Sequence, residues 1–197
     1  SKDRINVICP YYYKCGGCNF LHTSYDNEIN IKKCYVEKLF NRKVNVLDNK
    51  IVSNYRNKVT LHVLEGKLGL FNDKTHTLCN LNHCELLNPL INSKIDNLNK
   101  YNLNGLNEIM IRCINSKIMI NLIGKPNKEL NNIECDSLYI NNEYIKGNEY
   151  LIDEVNNFKF SIYPESFYQV NNEVMSIIYN KAKEYIGSGN KLLDLYC

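Results

Sequence analysis

Apolar residues first recur at three- and four-residue spacing, in Ser24–Lys43 ("SYDNEINIKKCYVEKLFNRK"), where Ile29, Val36, Leu39 and Phe40 predict an amphipathic helix capped by Ser24. The period then drops to two. In Tyr55–Asp73, Val59, Leu61 and Val63 alternate with Lys58, Thr60 and His62, which predicts a strand with a turn at Gly66. A second helix is expected from Pro89, a residue tolerated in a first turn. Two runs of Ile and Met joined through Asn115–Ser116 predict a hairpin over Asn107–Gly124. Short strands follow around Leu138–Ile140, Tyr144–Lys146, Tyr150–Asp153 and Phe158–Ile162. A third helix is expected over Asn171–Ile186, stopped by "GSG", and "KLLDLYC" reads as a terminal apolar strand. The pattern is α+β: a central mixed or antiparallel sheet with helices, then a further helix and strand.

Composition narrows the class. With 197 residues, 44% hydrophobic and 23% charged, the chain can bury a real core. No stretch reaches the roughly 18 apolar residues of a membrane helix. "SKDRINVICP" lacks the apolar region of a secretory signal, so a cytoplasmic location is expected. Nine cysteines, an odd number, fit reduced thiols better than a disulfide framework. A net charge of +3 permits a nucleic-acid partner without demanding one. Asn, Lys and Ile abound, as an A+T-rich genome would supply.

Three cysteines stand out in "CPYYYKCGGC": Cys9, Cys15 and Cys18, with Gly16 and Gly17 between the last pair. Zinc sites usually bring two short-spaced pairs, and here only Cys15–Cys18 forms one. Three thiolates on a loop plus one remote thiolate suit a [4Fe–4S] cluster, one sulfur per iron. The glycines let backbone approach closely and turn N–H groups toward sulfur. The remote ligand comes from Cys34, Cys79, Cys84, Cys113 or Cys135. Cys34 and Cys113 are expected to be buried structural thiols. The turn-like stretch "HTLCNLNHCELLNP" holds the best candidates, Cys79 and Cys84, and His83 leaves a Cys3His zinc alternative.

Five fragments in order resemble the RNA (uracil-5-)methyltransferases, in particular the iron–sulfur-containing branch acting on 23S rRNA. They are "CPYYYKCGGCNFLHTSY" with Lys32, "YRNKV" at Tyr55–Val59, "CELLNPLIN" at Cys84–Asn92, "SIYPESFYQVNNEV" at Ser161–Val174, and "LLDLYC" at Leu192–Cys197. The resemblance makes Cys84 the fourth cluster ligand and leaves Cys79 a strand thiol. It implies that residues 1–165 are a central domain with an iron–sulfur loop. Residues 166–197 then begin a Rossmann-like S-adenosylmethionine-dependent domain, truncated before its glycine loop.

The implied chemistry is thiolate addition to C6 of a flipped uridine, methylation at C5 and loss of the C5 proton. In the family the nucleophile and base lie downstream of "DLYC", so Cys197 is not expected to be the nucleophile and the chain alone is expected to be inactive. Gln169 and Tyr196 match cofactor-facing positions. Phe167 and Tyr168 either border the base pocket or pack. Arg56 and Lys58, at alternate strand positions, are candidate RNA contacts. The unpaired strand "LLDLYC" is expected to drive self-association. The rival readings are a metal-stapled RNA-binding module without catalysis and an electron-transfer protein. Neither requires "SFYQVN…LLDLYC".

Overall fold

A computed structural model describes residues 2–48 and 50–195. Three helices, α1 (Tyr25–Phe40), α2 (Pro89–Leu98) and α3 (Asn172–Ile186), accompany nine strands. Strands β1 (Lys58–Leu64), β2 (Lys67–Phe71), β3 (Leu78–Asn80), β4 (Leu106–Ile114), β5 (Lys117–Gly124), β6 (Ser137–Ile140) and β7 (Glu143–Gly147) form one sheet ordered β3-β2-β1-β4-β5-β6-β7. Every pairing is antiparallel except β5 with β6. That single parallel pair makes the sheet mixed. Strands β8 (Leu151–Val155) and β9 (Phe158–Ile162) form a separate hairpin.

Turn chemistry explains the hairpins. Both residues of the tight connections Glu65–Gly66, Asn115–Ser116, Asn141–Asn142 and Asn156–Asn157 have positive φ, as a type I′ turn requires. Asparagine tolerates that left-handed region better than most residues, and it fills five of these eight positions. Its abundance therefore has a structural use here.

The central strands are buried on both faces. On one face Ile109, Ile111 and Cys113 of β4 and Ile118, Ile120 and Leu122 of β5 join Leu61, Leu68 and the α2 residues Ile91, Ile95 and Leu98. On the other, Met110, Ile114 and Met119 meet Tyr139, Leu151 and Ile162, so the β8–β9 hairpin covers that side. Arg112 shares this second face and is 1% exposed.

Several expectations need correction. Helix α1 forms where expected: Ser24 Oγ accepts from the Asn27 N–H at 3.3 Å, Asp26 and Glu28 lie in its first turn, and Asn41 closes it in the left-handed region. Yet it buries no residue, and Ile31, Tyr35, Val36, Leu39 and Phe40 are exposed. Local capping and the Glu28–Lys32 pair hold the helix while no described element covers its apolar stripe. Cys34, expected to be buried, is exposed on it. The stretch expected to be turn-like contains strand β3, with Cys79 buried on it, and a short 3-10 helix spans Lys128–Asn132. Residues 191–195, expected as a strand, form no strand ladder with any described element, and Leu192, Leu193 and Leu195 are exposed; a strand needs a ladder partner for its backbone. Among the described residues no helix is long and apolar enough to cross a membrane.

Candidate metal centre and cofactor-facing segment

The loop of three cysteines folds as successive tight turns. The Tyr12 N–H donates to Cys9 O at 3.3 Å, and the N–H groups of Lys14 and Cys15 donate to Tyr11 O at 2.9 and 2.7 Å. The loop then docks on the end of β2. The Gly16 N–H donates to Phe71 O at 3.3 Å, and Asn72 Nδ2 donates to Lys14 O at 3.1 Å. A Cβ on Gly16 would lie 2.4 Å from Asp73 Oδ1 and 2.7 Å from Phe71 O, so only glycine fits there. The two glycines thus divide their tasks. Gly16 permits close docking, and Gly17 turns its N–H toward Cys15 Sγ at 3.4 Å. Behind the loop, the Tyr12 hydroxyl lies 2.7 Å from His22 Nδ1.

Cys84 reaches the same place from the connection between β3 and α2. That connection has no helix or strand of its own, and it is sewn down on two sides. Asn54 N–H donates to Glu85 O at 2.9 Å, Arg56 N–H to Leu86 O at 2.8 Å and Asn88 N–H to Arg56 O at 2.9 Å. From the helix side, Asn92 Oδ1 accepts from the Cys84 N–H at 2.9 Å.

Cys9, Cys15, Cys18 and Cys84 line one cavity of about 320 Å³, together with Arg56, Lys58, His83, Val170 and apolar side chains that include Leu70 and Leu87. The four expected ligands are therefore brought together. Cys34, Cys113 and Cys135 do not line the cavity, and neither does Cys79, although its thiol on β3 is near enough to Cys9 and Cys15 to interact with them electrostatically. All four cavity thiols are free, and among the described residues no three His, Cys, Asp or Glu side chains close on one metal-sized point. Burial pushes the Cys9 and Cys15 thiols up and Cys18 to about 11, with the neighbouring thiols adding to the shift and Arg56 opposing it at Cys18. His83, the nitrogen of the zinc alternative, has Nε2 3.5 Å from Glu85 Oε1.

Arg56 and Lys58, expected to face RNA phosphates, are half-buried at this cavity. Arg56 Nε donates to Lys58 O at 3.0 Å, and Lys58 Nζ reaches Pro164 O at 3.4 Å. Between them, Asn57 points the other way, as strand alternation demands. Its N–H donates to Val170 O at 2.9 Å and its Nδ2 to Gln169 O at 3.0 Å and to Asn172 Oδ1. Sequence reasoning missed Asn57, although it sits inside the quoted "YRNKV".

The segment carrying Gln169 is clamped from beneath as well. Arg112 donates from Nη1 to Tyr163 O at 3.1 Å and from Nη2 to Ser166 O at 2.8 Å. Burial pushes its guanidinium down to about 10. The backbone of Gln169 is thereby fixed beside the thiol cavity, and its neighbour Phe167 is 87% exposed. Tyr168 packs inward against the second core. Tyr196 and Cys197 lie outside the described residues.

No family model matches the chain. Similarity to individual proteins is extensive. A protein of Clostridium tetani described as an uncharacterized RNA methyltransferase is 29% identical, covering all of this chain and 54% of that protein. One of Staphylococcus aureus with the same description is 27% identical over all of this chain and 55% of its own length. The chain thus spans about half the length of these curated relatives. Among solved structures, the Pyrococcus abyssi tRNA (uracil-54, C5)-methyltransferase in complex with S-adenosyl-L-homocysteine matches 89% of this chain and 52% of its own, with a TM-score of 0.76 and 19% identity. This chain is similar in sequence to RNA methyltransferases along its whole length, and it shares the fold of about half of a tRNA uracil methyltransferase.

Proposed function

We propose that this chain is the thiol-bearing half of an S-adenosylmethionine-dependent RNA methyltransferase that forms 5-methyluridine, with 23S rRNA as its target. One observation carries this reading. Four segments far apart in sequence meet around a single cavity: Cys9, Cys15 and Cys18 from the first, Arg56 and Lys58 from the second, Cys84 from the third and Val170 from the fourth. These are the segments that carry the resemblance to uracil methyltransferases.

The donor chemistry of the cavity fits a [4Fe–4S] cluster held by Cys9, Cys15, Cys18 and Cys84. It offers four thiols within an apolar lining, and the Gly17 N–H already donates to one sulfur. Ligands of one zinc stand about 3.8 Å apart around a tetrahedron, whereas a cube takes one thiolate per iron and spreads them wider. Four thiols on one cavity match the four thiolates that a cube needs. Arg56 and Lys58 contribute positive charge that offsets an anionic group there, and their proposed contact with RNA is through the mouth of the same cavity.

S-adenosylmethionine supplies the methyl group when bound. The part taken by this chain is positioning: the backbone bonds from Asn57 and Arg112 hold residues 163–172, so that Gln169 presents an amide with both donor and acceptor character to the methyl donor. Residues 166–197, with Tyr196, are proposed to begin the domain that completes this pocket. We assign no catalytic nucleophile within the chain.

The test has two arms. Anaerobic purification should yield about four iron and four sulfide per chain; about one zinc without sulfide would sink the cluster. The full-length protein, given labelled S-adenosylmethionine with 23S rRNA or with tRNA, should form 5-methyluridine in the ribosomal RNA. Labelling of tRNA alone would move the target, and no 5-methyluridine in either would overturn the methyltransferase reading.

A further inference from the structure

Asn92 lies in the first turn of α2, is buried, and makes hydrogen bonds with all its polar capacity except one lone pair. Its Oδ1 accepts from the Cys84 N–H at 2.9 Å, while its Nδ2 donates to Cys84 O at 3.0 Å and to Leu87 O at 3.3 Å. Only a primary amide carries one acceptor and two donors on a planar head. We propose that Asn92 is the positioning residue that fixes the remote ligand Cys84 over the loop of three cysteines. The inference rests on the iron–sulfur reading for its consequence, but not for its geometry.

The physical case lies in how the ligands are held. Cys9, Cys15 and Cys18 share one short loop whose turns are closed by their own backbone and docked on β2. Cys84 must be set against them from a separate connection. Both backbone polar groups of Cys84 are engaged by one side chain, so a shift of the loop has to break two hydrogen bonds at once. A buried donor or acceptor left unpaired costs about 1–3 kcal/mol, which resists such movement. Asn92 thus does for a sulfur ligand what a hydrogen-bonded carboxylate does for a metal-bound histidine: it sets direction without touching the ligand atom.

Asn92→Asp keeps the shape and the acceptor but replaces the amide nitrogen and its two donors with one oxygen that faces two carbonyl oxygens. Asn92→Ser is a second, less demanding variant, and Ile91→Val on the same turn controls for a general loss of stability. In metal-free protein, alkylation by iodoacetamide followed by peptide mass analysis should be several-fold faster at Cys84 in Asn92→Asp and unchanged at Cys18. After loading with ferrous iron and sulfide, both Asn92 variants should lose iron to a chelator roughly tenfold faster than wild type, and Ile91→Val should not. Wild-type alkylation of Cys84 in Asn92→Asp, or equal acceleration at Cys18 and Cys84, would overturn the proposal. Selective acceleration at Cys84 in a chain that takes up no iron or sulfide would leave the positioning role standing and remove the iron–sulfur reading instead.

Discussion

The Tyr168 hydroxyl donates to Asp153 Oδ2 at 2.7 Å, tying the β8–β9 hairpin to the segment that carries Gln169. The same oxygen accepts from Asn172 Nδ2 at 3.1 Å, and Asp153 Oδ1 accepts from the Glu154 N–H at 2.9 Å. This buried carboxylate is therefore a junction between hairpin, segment and α3. Asp153→Ala leaves those donors unpaired and should destabilise the chain by about 1–3 kcal/mol, read as a lower urea midpoint. Amide exchange at residues 168–172 should quicken more than exchange in β4 and β5.

The same contact sets an alkaline limit. Burial, reinforced by the bond to the Asp153 carboxylate, raises the Tyr168 phenol above its ordinary value. A raised folded pKa means that the folded chain keeps the proton after the unfolded chain has lost it. The stabilisation is therefore complete below the ordinary tyrosine pKa near 10 and is lost as pH rises beyond it. Thermal melts between about pH 9 and pH 11 should show a steeper fall in Tm for wild type than for Tyr168→Phe.

Arg112→Lys tests the fork beneath residues 163–166. A single ammonium cannot serve Tyr163 O and Ser166 O with the geometry of a planar guanidinium. The expected cost is about 1–3 kcal/mol, with proteolytic cleavage of residues 163–170 accelerated before global unfolding.

Gly69 of β2 pairs with Asn80 of β3, and a Cβ placed on it would sit 2.0 Å from Cys79 O. Gly69→Ala should push β3 off the sheet edge and cost at least about 2 kcal/mol, measured by denaturant unfolding. Because β3 leads into the Cys84 connection, iron uptake should fall in parallel. Cys84→Ser should abolish iron–sulfur loading directly, whereas Cys79→Ser should retain it, since Cys79 does not line the cavity.

Leu192, Leu193 and Leu195 are exposed and pair with no described strand. Sedimentation at rising concentration should reveal self-association of this chain that Leu193→Asp reduces; a monomer at all concentrations would refute it.

Much of the fold was determined by residues that speak locally. Ser24, Pro89 and Asn171 begin helices because cap and first-turn chemistry needs no distant partner. The Ile and Met runs beside Asn115–Ser116 form a hairpin because alternation and a left-handed turn agree. The cysteine spacing likewise announced one loop that carries Cys9, Cys15 and Cys18. Only the tertiary structure decided which thiols share a cavity, because α1 and strands β1 to β3 separate Cys18 from Cys84 along the chain and nothing in spacing sets that approach. It set Arg56 and Lys58 on the lining of the thiol cavity, since strand register relative to Asn57 depends on what β4 and residues 169–172 offer as partners. It left the apolar stripe of α1 uncovered among the described residues and kept Leu192–Leu195 out of any sheet, for burial and strand pairing are properties of neighbours and not of the segment itself. Asn92 shows the division most plainly: its amide is visible in "CELLNPLIN", but its grip on Cys84 exists only once the first turn of α2 folds back over the connection before it.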